Sequence, residues 1–152
     1  MLKNIPTHLI AGPLGAGKTS IARGLLAALG LEGEAPSPSY AIVQPYDPPE
    51  VAFPVLHVDL YRIDDPDEAE ELGLEDARGD SLLLVEWPER GKGVLPPADL
   101  RIQLSLHGGG RRARLVSGTQ ICTGRKPAAR RASRRLLTLC RTDDAICASC
   151  YM

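Results

Sequence analysis

The strongest constraint on this chain is ten residues long. Ala11–Ser20 reads AGPLGAGKTS, and Gly12 to Thr19 fit the pattern G-x-x-x-x-G-K-[ST] of a phosphate-binding loop. Glycines at 12, 15 and 17 free the backbone to curl, so that successive N–H groups point inward at phosphate oxygens. Lys18 is placed to reach the β- and γ-phosphates, and the Thr19 hydroxyl to meet Mg2+. The candidate cradle comprises Gly12, Leu14, Gly15, Ala16, Gly17, Lys18, Thr19 and Ser20. Such a loop functions only between a strand and the start of a helix, and the flanking sequence supplies both. THLIAG (Thr7–Gly12) reads as a short buried strand. Ile21, Leu25, Ala28 and Leu29 recur at helical spacing, with Gly30 as the stop.

The downstream chain continues this alternation. Tyr40–Val43 reads as a strand entry after the Pro/Ser loop EAPSPSY. FPVLHVDLY (Phe53–Tyr61) reads as a second buried strand, followed by a helix with Asp65 as N-cap and Pro66 at its first position, stopped by Gly73. SLLLVEWPE (Ser81–Glu89) is the most strand-like run. Leu100, Ile102, Leu104 and Leu106 alternate, and Gly108–Gly110 turn the chain into ARLVSG, a hairpin. The pattern predicts a three-layer α/β P-loop fold with a mixed, mostly parallel sheet and a C-terminal β-hairpin.

Hydrolysis at a phosphate loop also needs an acid at the end of a buried strand, to hold or orient the cation and the water. Asp59 closes VLHVD and Glu86 closes LLLVE. Glu86 has the longer apolar run behind it and ranks first as a metal ligand beside Thr19. Asp59 is left to support the metal or position the attacking water. Lys18, Asp59 and Glu86 are thus the candidate catalytic residues. His57 shares a strand face with Asp59 but reads as structural. Trp87 follows Glu86 and by strand alternation points to the opposite face. Guanine readers usually carry N-K-x-D; Asn4 is the only asparagine, so adenine, and hence ATP, is favoured by elimination.

Length and charge set the boundaries. A chain of 152 residues fits one domain. Its net charge of −1 hides a segregation: Gly118–Met152 carries +5, leaving −6 on Met1–Ser117, and all four cysteines lie in that tail. We therefore expect an ATPase domain over 1–117 and a basic, cysteine-containing tail over 118–152, disordered or atypical. The lone C-x-x-C, Cys147–Cys150, lacks the second close pair of a closed zinc site. The basic run GRKPAARRASRR has no interleaved aromatics of a nucleic-acid surface. No apolar run is long enough for a membrane span, and MLKNIPTHLIAG is unlike a signal peptide, so a cytoplasmic, non-membrane protein is expected.

Read together, GPLGAGKTS, SPSY, HVDLYR, EELGLED, LLLVEWPERGKGVLP and GGGRRARL resemble the bacterial TsaE family, small P-loop ATPases of tRNA threonylcarbamoyladenosine (t6A) biosynthesis, over about Gly12 to Val116. The resemblance implies that Gly12–Thr19 bind ATP phosphates, that Thr19 and Glu86 hold Mg2+, and that Asp59 is needed for hydrolysis. It further implies a switch-like or partner-facing role for Ser37, Ser39 and Tyr40, with Trp87 close to the active site. The implied partners are TsaB and TsaD, which build the threonylcarbamoyl group onto adenosine 37 of tRNA, so that tRNA is met only indirectly. The opening IPTHLIAGPLGAGKTS also resembles the start of CobW-like GTPases, metal carriers that would add a C-x-C-C motif this chain lacks. A nucleotide-binding module without useful turnover remains the other alternative.

Overall fold

Leu82–Glu86, LLLVE, is buried at every position, the mark of a strand covered on both faces rather than one. It is the strand around which the fold is arranged. The computed structural model describes residues 5–118, 138–142 and 145–150. In chain order the elements are β1 (Thr7–Ala11), α1 (Lys18–Ala28), β2 (Val43–Tyr46), β3 (Val55–Asp59), α2 (Pro66–Glu70), α3 (Leu74–Ala77), β4 (Leu82–Glu86), a 3-10 turn (Pro88–Gly91), β5 (Leu100–His107), β6 (Gly110–Ser117), β7 (Thr138–Thr142) and β8 (Ala145–Cys150).

The sheet order is β2-β3-β4-β1-β5-β6-β8-β7. The four central strands, β3, β4, β1 and β5, run parallel. Strand β2 adds antiparallel on one side, and the β5–β6 hairpin opens an antiparallel run on the other. This is the mixed sheet that the sequence predicts. Alternation within the strands divides two layers of packing. Leu82 and Leu84 face a cluster with Val55 and Leu26 of α1, while Ile10 and Ile102 pack on Ala16 and Ala22. Leu83, Val85, Leu9 and Val58 face the other side, against Ala69, Leu74 and Ile63. Burial of such aliphatic side chains, each worth about 1.5–3 kcal/mol, holds helices on both faces and fixes the strand ends between them.

Local signals behave as their chemistry dictates. Asp65 caps α2 in a capping box: its carboxylate accepts from the Asp67 N–H at 3.1 Å, and Glu68 accepts from the Asp65 N–H at 3.2 Å. Gly73 ends that turn with φ 63°. Two boundaries differ from the sequence reading. The strand expected to enter at Tyr40 begins only at Val43, because the Ile42 N–H donates to the Pro38 carbonyl at 2.6 Å and Ile42 turns through φ 66°. The β4 strand stops at Glu86, because Trp87 adopts φ 57° and Pro88 follows.

Thr138–Thr142 and Ala145–Cys150 pair as antiparallel strands, with β8 added to the edge of β6. An uncovered hairpin edge offers unpaired N–H and C=O groups that another strand can satisfy. The basic run Arg125–Arg135 and Cys122 lie outside the described residues.

Candidate active site

The loop expected to cradle phosphate lies between β1 and α1, as its pattern requires. Gly12, Gly15 and Gly17 adopt φ of 151°, 77° and 97°. Gly12 also has no room for a side chain: a Cβ there would stand 2.8 Å from the Leu104 carbonyl oxygen and 2.9 Å from its Cβ. Helix α1 begins at Lys18 with no side-chain cap from Gly17, so the positive end of its dipole and its first N–H groups face the loop. Leu14, Gly15, Gly17, Lys18, Thr19 and Ser20 line a cleft of about 480 Å3. Gly12 and Ala16 are buried behind it.

The two acids meet this loop from the sheet. Asp59 and Glu86 are in register at the C-terminal ends of the adjacent parallel strands β3 and β4, and both are nearly sealed from solvent, at 3% and 1% exposure. Glu86 has a partner on each oxygen. Thr19 Oγ1 donates to Oε2 at 2.9 Å, and His57 Nε2 lies 2.7 Å from Oε1. Asp59 accepts from Ser37 Oγ at 2.9 Å on Oδ2 and from the Tyr61 N–H at 2.9 Å on Oδ1. Ser39 and Tyr40 line the same cleft, and the Arg62 guanidinium stacks 4.1 Å from the Tyr40 ring centroid.

Lys18 is folded back on its own loop. Its Nζ donates to the Gly12 and Pro13 carbonyls at 2.8 and 2.9 Å and lies 3.7 Å from the Trp87 ring centroid. Burial pulls its amine below the ordinary lysine range, against the opposing pull of Glu86, Glu89 and Asp59. Trp87 does not take the face opposite Glu86. Its left-handed φ breaks the strand alternation and turns the indole into the same cleft, tilted against Tyr61 at 5.0 Å between centroids.

The sequence reading missed two contributors. His57 is fully buried against Glu86; its place on the Asp59 face is visible in the sequence, but its register with β4 is not. Arg111, from the tip of the hairpin, donates to the Gly15 carbonyl through Nε at 3.3 Å and Nη2 at 3.1 Å, and only a long-range fold places it there. A larger surface hollow of about 700 Å3 between Gly30–Pro36 and β2 contains none of the candidate residues.

The donor set suits a hard cation. Thr19 and Glu86 offer oxygen ligands beside the positive end of α1, the type that Mg2+ prefers. Among the described residues no three His, Cys, Asp or Glu side chains converge to hold a metal. Such a cation would therefore take its remaining ligands from phosphate and water, as Mg2+ does at nucleotide sites. Among the described residues no helix is long and apolar enough to cross a membrane.

Comparison with known proteins places the chain in a family. The family model described as "Threonylcarbamoyl adenosine biosynthesis protein TsaE" matches residues 1–114, the opening stretch included. A Haemophilus influenzae protein named tRNA threonylcarbamoyladenosine biosynthesis protein TsaE is 39% identical over 111 residues, covering 72% of this chain and 69% of its own length. The protein of that name from Bacillus subtilis is 35% identical over 100 residues, 65% of this chain and 61% of its own. Among solved structures, that of Bacillus subtilis YdiB superposes with a TM-score of 0.59 at 28% identity, covering 74% of this chain and 68% of that one.

Proposed function

The chain belongs to the TsaE family, and from that premise we propose that it is a Mg2+-dependent P-loop ATPase acting in t6A formation on tRNA together with TsaB and TsaD. In this reading its partners carry out threonylcarbamoyl transfer, and this chain binds and hydrolyses ATP in their support, in the cytoplasm. The observation that carries the reading is the register of Asp59 and Glu86, two sealed acids side by side at the mouth of a phosphate loop.

The geometry supports the following roles. The loop amides and the start of α1 cradle the phosphates. Lys18 leaves the Gly12 and Pro13 carbonyls for the β/γ-phosphate oxygens, where its charge offsets the negative charge of the transferring group. Thr19 and Glu86 would hold the cation, which would supply positive charge to the phosphate oxygens. Asp59, steadied by Ser37 and the Tyr61 N–H, orients a water for in-line attack. Ser39 and Tyr40 form the loop that responds to the γ-phosphate or to a partner, and Trp87 and Tyr61 wall the cleft. In this reading the ATPase domain spans 1–117.

The test is ATP hydrolysis by the full chain, alone and with the TsaB–TsaD pair. Lys18→Ala and Glu86→Gln should each lower turnover by about 100-fold or more. Turnover unchanged by both would overturn the mechanism, and GTP binding far tighter than ATP would overturn the choice of nucleotide.

A further inference from the structure

His57 is fully buried, and its one protein partner among the described residues is Glu86. A carboxylate only accepts hydrogen bonds, so the 2.7 Å contact is a donation from Nε2–H to Oε1. That tautomer leaves Nδ1 as a bare acceptor, in keeping with its having no partner. The other oxygen, Oε2, faces the Thr19 hydroxyl. The two oxygens of Glu86 are thus divided between the protein interior and the cleft. We propose that His57 is a positioning residue that confines Glu86 to a single oxygen toward the cation, and that it thereby sets the preference of the site for Mg2+ over Ca2+.

The chemistry of the two ions supplies the reason. Mg2+ demands near-octahedral geometry with ligands at about 2.0–2.1 Å, whereas Ca2+ at about 2.3–2.6 Å accepts both oxygens of one carboxylate. Turning Glu86 to offer both would break the His57 bond and leave a buried N–H unpaired, a costly state. The imidazole therefore opposes the arrangement that Ca2+ uses and leaves intact the one that Mg2+ uses. The inference rests on the reading that Thr19 and Glu86 hold the cation.

The experiment measures binding. Equilibrium dialysis of a labelled, non-hydrolysable ATP analogue against the full chain, over a range of MgCl2 or CaCl2, gives the half-saturating concentration of each ion and their ratio. His57→Leu should weaken the Mg2+ dependence by about 10-fold, the usual effect of losing an outer-shell partner, and weaken the Ca2+ dependence less, so that the ratio moves toward Ca2+. His57→Gln, whose amide nitrogen can take the place of Nε2, should return the ratio toward the native value. His57→Asn, whose amide falls at the place of Nδ1, should not. Melting curves monitor folding. If the leucine variant does not fold, the Gln and Asn pair, alike in polarity and different in reach, decides the matter. A ratio that is the same in native, Gln and Asn proteins overturns the positioning role. Nucleotide binding indifferent to both ions in the native protein overturns the Thr19–Glu86 site, and this inference with it.

Discussion

The Lys18 ammonium lies 3.7 Å from the centroid of the Trp87 ring while it donates to the Gly12 and Pro13 carbonyls of its own loop. A cation over an indole face is stabilised by about 0.5–2 kcal/mol, more as water is excluded. Trp87 is the only tryptophan, so its emission should change when nucleotide draws Lys18 off the ring. Trp87→Phe should retain binding and Trp87→Ala should weaken it. A native emission spectrum that stays the same while dialysis shows ATP saturating the protein would rule out this movement.

The Ser37–Asp59 bond yields a separable effect. Ser37→Ala removes one donor from Asp59 without touching the phosphate loop. Turnover should fall by about 10-fold through looser positioning, with nucleotide affinity nearly unchanged. Asp59→Asn should lower turnover further. Steady-state kinetics with independently measured ATP binding checks both, and an affinity loss as large as the turnover loss would refute the assignment.

Two glycines should respond in opposite directions. Gly12→Ala forces a Cβ against the Leu104 backbone at a φ that side chains rarely adopt, at a cost of about 1–3 kcal/mol. Gly24 lies inside α1, and a methyl group added there would meet nothing within 4 Å, so Gly24→Ala should stabilise by about 0.5–1 kcal/mol. Urea unfolding midpoints report both signs.

His8 predicts a pH effect. Burial lowers its pKa from 6.5, outweighing the raising influence of Asp99. The folded chain then binds fewer protons at this site than the unfolded chain. This contribution to stability is therefore complete above about pH 6.5 and lost as pH falls from there toward the folded value. His8→Gln should flatten the fall in urea midpoint between about pH 7 and pH 5. An unchanged slope would show that other groups set it.

Much of the site is legible in the sequence because its parts are local. The loop from Gly12 to Thr19 is a contiguous pattern, and Asp59 and Glu86 are marked by the apolar runs before them. What escapes depends on register and turns. Alternation misplaces Trp87 because it holds only while the strand continues, and one left-handed residue ends it. The role of His57 depends on β3 lying beside β4, and that of Arg111 on a hairpin 96 residues from Gly15. The strands of the tail escape because charge and cysteine content say nothing about an open sheet edge elsewhere.

Four side chains at the cleft are already bonded within the protein: Lys18 to loop carbonyls, Thr19 to Glu86, Asp59 to Ser37, and Arg111 to Gly15. An arriving nucleotide trades these bonds for its own, and an exchange of bonds yields far less than new ones. The same internal bonds re-form when the nucleotide departs and so ease its departure. On the proposed function, a cleft built this way would favour brief occupancy and prompt resetting, the behaviour of a timer rather than a store.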